Sequence, residues 1–227
     1  MTGYQADIAP VAALMADRAR AAMLTAMLDG RPLAAGELAR TAGVTAQTAS
    51  AHLGRLLDGG LVTVVRQGRH RYYRLSGAEV AEVIEALSRI SGPVEIRSLR
   101  RSRQARRLHR ARSCYDHLAG QAGVALFAAL TGNGLLDPMS FEVTGKGRDR
   151  LEGLGIDLAA LGRARRRFAG ECLDWTERRP HLNGALGAAL LTRFVELGWI
   201  ERARDRELRV TEAGARGLSD SFGCVLP

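Results

Sequence analysis

One stretch, "VTAQTASAHLGRLLDGGLVTVVRQGRHRYYRL" (residues 44–75), constrains the fold more than any other. Thr45 is placed to cap a helix on which Ala49, Leu53, Leu56 and Leu57 recur on one face, so that face predicts core. "LVTVV" and "RYYRL" then alternate as strands, and "RQGRH", with Gly68 between basic residues, predicts the tip of a hairpin. Upstream, "LAAGELARTAG" predicts a short helix closed by Gly43, and "IAPVAALMADRARAAMLTAMLDG" a helix stopped at Gly30. Downstream, "GAEVAEVIEALSRI" predicts a helix with Val80, Val83, Ile84 and Leu87 on one face. Helix, short helix, turn, helix and basic hairpin, in that order, make a winged helix-turn-helix. The fold class expected is mainly α with small β-hairpins (α+β).

The chain of 227 residues has room for one large or two small domains, and its 46% hydrophobic and 25% charged residues are an ordinary globular balance. It has no apolar run long enough to span a bilayer, and "MTGYQADIAP" lacks the pattern of a signal peptide, so a cytoplasmic protein without a membrane partner is expected. Cys114, Cys172 and Cys224 are too few and scattered for a disulfide framework. The formal net charge of +9 points to a polyanionic partner. Residues 91–113 carry eight basic and one acidic side chains, against ten and eight in 1–90 and fifteen of each in 114–227. The excess therefore sits in "RSLRRSRQARRLHRAR". Three regions are expected: a winged helix-turn-helix with dimerisation surfaces over 1–90, a basic helical connector over 91–113, and an effector or sensor domain over 114–227.

Residues 10–90, through "LAAGELARTAGVTAQTASAHLGRLLDGGLVTVVRQGRHRYYRL", resemble the ArsR/SmtB family of bacterial repressors. The resemblance implies a homodimer that binds double-stranded operator DNA when ligand-free and lets go when an effector binds. The apolar first helix and the 77–90 stripe are the candidate dimer seam. The family's metal site on the helix before the recognition helix uses Cys-x-Cys, and "GELARTAG" has no cysteine. Its second site uses His with acids on the domain's last helix, where this chain offers Glu79, Glu82 and Glu85 but no histidine. Sensing is therefore expected in the C-terminal half.

A helix in the major groove brings Gln47 to adenine, Arg55 to guanine or phosphate, and Thr48, Ser50 and His52 to base edges or backbone. Wing residues Arg66, Arg69 and Arg71 would grip phosphates and fix register more than sequence. His52 is equally suited to packing or bonding locally.

The C-terminal half contains an echo: "FEVTGKGRDRL" (141–151) and "LRVTEAGARGL" (208–218). The second copy follows "GALGAALLTRFVELGWIERARDRE", which has the helix, strand, turn and strand order of the first domain, so a winged-helix-like unit is expected there. Its apolar helix and charge-balanced turn suit packing or ligand binding better than DNA.

"SCYDHLAG" and "ECLDWTERRPH" share a Cys-x-Asp pattern. If both are helical, Cys114 and His117 lie on one face, Asp116 points elsewhere, and Pro180 starts a new helix at a corner that swings His181 back toward Cys172. Converged, Cys114, His117, Cys172 and His181 would suit zinc, copper(I) or a trivalent metalloid as effector or cofactor. Three other readings stay open: small buried hydrophobes, a redox or electrophile-sensing thiol pair, and an organic-ligand pocket. Cys224 is expected to be a loose tail residue.

Enzyme fingerprints are missing. "TGNG" and "TGKGRDRLEGLG" lack the strand context of a phosphate loop, and no Gly-x-Ser-x-Gly elbow occurs. The expected function is a DNA-binding transcriptional regulator of repressor type, not an enzyme. Two alternatives are a thiol-dependent enzyme at Cys114, Asp116 and Cys172 with a vestigial winged helix, and a constitutive DNA-organising protein that binds through its basic connector.

Overall fold

The computed structural model describes residues 6–68, 70–92 and 99–227 (backbone only at 99–101), and the expected helix, turn, helix and hairpin order is present over residues 33–75. The apolar N-terminal stretch forms two helices, α1 (Ala9–Ala16) and α2 (Arg18–Ala26), rather than one. Asp17 breaks the run: its backbone is extended, and its carboxylate accepts from the Arg20 amide at 2.9 Å to cap α2. Arg20 then turns back to donate to the α1 carbonyls of Leu14 (2.7 Å) and Ala13 (3.0 Å), satisfying a helix end that would otherwise be bare.

A short strand β1 (Leu33–Ala34) leads into α3 (Ala35–Ala42), which ends at Gly43 in the left-handed conformation. After the turn, the Thr45 hydroxyl accepts from the Thr48 amide at 3.2 Å and starts α4 (Ala46–Asp58). Ala49, Leu53 and Leu56 of α4 are buried and Leu57 is half-buried, as the spacing predicts. The wing is β2 (Val62–Gln67) against β3 (His70–Leu75), in register from Val62↔Leu75 to Gln67↔His70, with β1 on the far side of β3. Helix α5 (Ala78–Ile90) buries Ala81, Ile84 and Glu85 and leaves Val83, Leu87 and Ile90 exposed. The chain divides into two units, Met1–Leu87 and Ser88–Pro227.

The second unit is a duplication. Helix α6 (Leu99–Arg110) leads into the hairpin β4 (Arg112–Cys114) and β5 (His117–Ala119), followed by α7 (Gly120–Gly132). Then come α8 (Gly145–Gly153) and α9 (Leu158–Gly162). The pattern returns as the hairpin β6 (Gly170–Leu173) and β7 (Pro180–Asn183), then α10 (Gly184–Glu196), β8 (Ile200–Arg202), β9 (Leu208–Val210) and α11 (Glu212–Phe222). The sequence echo marks the back of each copy. Val143 pairs with Leu136, Val210 pairs with Ile200, and Thr144 and Thr211 cap α8 and α11 by accepting from Gly147 (3.0 Å) and Gly214 (2.9 Å).

One core built from α7, α10 and α11, with Leu126, Leu130, Leu190, Leu191, Phe194 and Phe222 among its members, joins the copies. Cys224 belongs to this core and is 1% exposed, so it is not a loose tail. The chain turns back at left-handed Gly223 and the Cys224 amide bonds the Leu218 carbonyl, so the thiol is carried inward. Burial pushes that thiol up to about 11. Among the described residues, no helix is long and apolar enough to cross a membrane.

Candidate functional site: a buried Cys/His cluster and an exposed reading head

The two cysteine boxes are hairpins and not helices. Cys114 faces His117 across β4 and β5, and Cys172 faces His181 across β6 and β7. Three-residue spacing brings two side chains together on a helix, but it also places them opposite each other when a hairpin turns in two residues. Tyr115 and Asp116 form that turn, with Tyr115 at φ 59°, a conformation its side chain does not announce in sequence. Pro180 opens β7 rather than a helix, and β-pairing, not a corner, returns His181 to Cys172.

Each helix packs on the hairpin of the other copy, α7 on β7 and α10 on β5. A glycine sits on each helix at this contact. A Cβ at Gly123 would collide with the Leu118 carbonyl of its own copy and reach only ordinary contact with the His181 side chain at 3.5 Å, while one at Gly187 would meet the Leu182 carbonyl of its own copy at 2.8 Å and crowd the His117 side chain of the other at 3.2 Å. The four predicted residues consequently converge: the donor atoms of Cys114, His117, Cys172 and His181 all lie within 4.8 Å of one another. All four are buried, from 1% exposed for His181 to 9% for Cys172.

The histidine rings stack at 5.1 Å between centroids. His117 Nδ1 lies 3.4 Å from Asp116 Oδ1, and His181 Nδ1 faces Asp174 Oδ2 at 3.7 Å. Nε2 of both rings, and Nδ1 of His181 as well, is buried without a hydrogen-bond partner. Asp116 thus joins the site from the turn instead of pointing away, and Arg166 pairs with its outer face.

Electrostatics in the cluster favour charge separation. A hydrogen bond from Cys114 holds the Cys172 thiol well below its ordinary range, with His117 and His181 adding to that pull against the cost of burial. Burial works against protonation of His117, but the Asp116 carboxylate and the Cys172 sulfur outweigh it and raise that imidazole. Asp116 moves down for the converse reason: burial opposes its charge, and His117 and Arg166 overcome the penalty.

Asp174 forms the floor. Its carboxylate accepts from Arg112 (2.8 Å), the Gly120 amide (2.7 Å) and the Thr176 hydroxyl (2.6 Å). Burial opposes its ionisation, but Arg112 and these donors keep it far below the usual carboxylate range. Arg112 is 1% exposed, and its guanidinium also lies 4.8 Å from the Trp175 ring centre. This pair ties the cluster to α6, because Arg112 closely follows that helix and donates to the Leu108 carbonyl. Helix α6 is held to the same unit by Gln104 to Asp205 (3.0 Å) and His109 to Glu177 (2.8 Å).

A second repeat in the sequence announces this arrangement, and the Cys-x-Asp pattern passes over it: His-Leu-x-Gly-x-x-Gly occurs at 117–123 and again at 181–187. It carries both histidine rings and both close-approach glycines. Asp174 is the acid of the second Cys-x-Asp, while Arg112, its buried partner beneath the cluster, has no comparable signature.

The reading head lies in the first unit. Gln47, Thr48, Ser50 and Arg55 are exposed on α4. Two of them are engaged locally: the Thr48 hydroxyl lies 2.9 Å from that of Thr45, and Ser50 donates to the Ala46 carbonyl at 3.0 Å. His52 is half-buried, with Nδ1 3.4 Å from Arg20 and 3.8 Å from Asp17, so the structure places it in local bonding. On the wing, Arg66 and Arg71 sit opposite each other and exposed, while Arg69 lies outside the described residues.

The family model described as a helix-turn-helix domain matches residues 15–65. The uncharacterised HTH-type transcriptional regulator YdfF of Bacillus subtilis (strain 168) is 44% identical over 211 residues, covering 92% of this chain and 93% of its own. Similar solved structures include HlyU from Vibrio cholerae (31% identity, 40% of this chain and 97% of that one, TM-score 0.36). NolR from Sinorhizobium fredii is 30% identical over 38% of this chain and 85% of its own, with a TM-score of 0.35. The cadmium metal-sensor CMTR from Mycobacterium tuberculosis is 31% identical over 40% of this chain and 93% of its own, with a TM-score of 0.33. The near full-length match to YdfF shows the family, and the chain belongs to the HTH-type transcriptional regulators, with a DNA-binding helix-turn-helix domain toward its N-terminal end.

Proposed function

We propose that this regulator is a homodimeric repressor that releases operator DNA when an effector acts on its C-terminal unit. The observation that carries the reading is the pairing, in one chain, of an exposed polar reading head with a buried Cys/His cluster. Gln47 and Arg55 are the base-reading candidates, Thr48 and Ser50 set the start of α4 on the backbone, and Arg66 and Arg71 hold phosphates, with Arg69 expected to join them. His52 supports the helix from behind. The dimer seam is the exposed apolar surface of α1 and α5, where Val11, Val83 and Leu87 are 40–45% exposed.

The route from effector to DNA runs through Arg112. The cluster touches Asp174, Asp174 holds Arg112, and Arg112 follows the basic helix α6, so a change at the cluster is one ion pair away from that helix.

The reading is tested with a reporter placed behind the DNA upstream of the gene. Deleting the gene is expected to raise expression, and the double variant Cys114→Ser/Cys172→Ser is expected to repress but fail to respond to conditions that induce the wild type. Unchanged or lowered expression on deletion overturns the repressor role. Normal induction of the double variant overturns the effector role of the cluster. In vitro, a duplex selected from a random library should bind at least about 10³-fold tighter than a scrambled one. Equal affinities would identify a DNA-organising protein instead.

A further inference from the structure

The cluster's chemistry narrows what it can hold. We infer that Cys114, His117, Cys172 and His181 bind one divalent d¹⁰ ion, zinc, in a closed tetrahedral site, with one Cys–His pair supplied by each half of the duplicated unit. This names the ligand of the cluster and rests on the reading above only for its regulatory consequence.

Three observations carry the assignment. The first is donor geometry. Zinc takes sulfur at about 2.3 Å and nitrogen at about 2.0–2.1 Å, so tetrahedral donors stand roughly 3.3–3.8 Å apart. Four donor atoms already within 4.8 Å of one another close onto an ion by side-chain adjustment alone. The second is the orphaned Nε2 of both histidines, on rings that are 6% and 1% exposed. Buried imidazole nitrogens without partners are costly, and an ion at the centre satisfies both. His117 already turns its Nδ1 to Asp116 at 3.4 Å, and His181 Nδ1 lies 3.7 Å from Asp174, outside hydrogen-bond reach but on the side from which an outer carboxylate orients a metal-bound histidine.

The third is charge balance. Both neighbouring acids are already neutralised, Asp116 by Arg166 and Asp174 by Arg112. The bare site therefore has no spare charge. Binding releases two protons to solvent, one from the Cys114 thiol and one shared by the Cys172–His117 pair, and two thiolates with a divalent ion and two neutral imidazoles sum to zero, which a buried site tolerates. Copper(I) would leave one negative charge uncompensated. A trivalent metalloid would need a third thiolate, and Cys224 lies in the separate core of α7, α10 and α11 rather than with Cys114 and Cys172.

The test uses the full-length reduced chain, stripped with a chelator and titrated anaerobically with Co²⁺. Intense visible bands of tetrahedral cobalt and a thiolate-to-cobalt charge-transfer band should saturate at one ion per chain and bleach on adding one equivalent of Zn²⁺. Cys172→Ser and His181→Gln should each weaken binding by more than the roughly 10–100-fold that loss of an outer carboxylate costs. Cys224→Ser should leave the spectrum intact. Weak octahedral bands or none, from wild-type protein that is folded by circular dichroism, overturn the site, and so does equal loss in Cys224→Ser. The wild-type spectrum decides the question even where a ligand variant fails to fold. Fluorescence anisotropy on the selected duplex runs alongside. Cobalt bands without a change in DNA affinity would support the site and overturn its effector role. DNA release by another agent without cobalt bands would do the reverse.

Discussion

The wing and the two inner hairpins are the same element put to opposite uses. In the wing, β2 and β3 turn Arg66 and Arg71 to solvent across from each other, where their mutual repulsion is screened and a phosphate backbone can neutralise both. In β4–β5 and β6–β7, the cross-strand positions hold Cys opposite His and are sealed under α7 and α10. Hairpin geometry supplies only proximity. Burial decides whether the paired side chains stand open to solvent or must find their partners inside the unit.

The difference predicts unequal tolerance. The largest effect should come from Asp174→Ala, which strands a buried Arg112 and removes the hydrogen bonds to Gly120 and Thr176. A loss of about 3–5 kcal/mol is expected for the second unit, measured by urea denaturation followed at Trp175 and Trp199. Next is Gly187→Ala, whose methyl would meet the Leu182 carbonyl at 2.8 Å and crowd His117. It should cost about 1–3 kcal/mol and distort the cobalt spectrum, and an unperturbed spectrum would break the claim that this glycine sets the seam.

The wing should behave in the contrary way. Arg66→Ala with Arg71→Ala should change stability by no more than about 0.5 kcal/mol per site while lowering the slope of log affinity against log salt by about 2. A stability loss rivalling that of Asp174→Ala would erase the contrast. On α4, Gln47→Ala should relax preference at a single base pair by about 1–3 kcal/mol, read by competition among single-base operator variants.

The smallest effect concerns Cys224. Its buried thiol is raised to about 11, so folding favours the neutral form. Stability from this group is complete below the unfolded thiol's value of about 8.5 and declines as pH rises toward 11. Iodoacetamide at about pH 8, close to the unfolded thiol's own range, should leave it unlabelled in the native chain and label it in urea.

Much of the first unit is legible in residues 33–75 because each signal there is local: the Thr45 cap, the Gly43 stop, the α4 apolar face and the glycine-bearing wing tip. Asp17 is the exception, since its role as a cap becomes visible only once Arg20 is seen holding the end of α1. In the second unit, the residues of the cluster are legible and their secondary structure is not. Cys114 and His117 satisfy helix and hairpin spacing equally, and the hairpin wins because Tyr115 accepts a positive φ and α10 covers β5.

By itself, then, the sequence determined the helix-turn-helix and its wing, the location of the positive charge, and the four Cys and His residues of the buried cluster. These depend on residue type and on neighbours a few positions away. Only the tertiary structure decided that the four meet at one point, that Asp116 and Asp174 back their rings, and that Arg112 links them to the basic helix. Those relations join residues as far apart as Arg112 and Asp174 through the crossed packing of two repeats, and no local propensity encodes a contact that exists only when the second copy folds against the first.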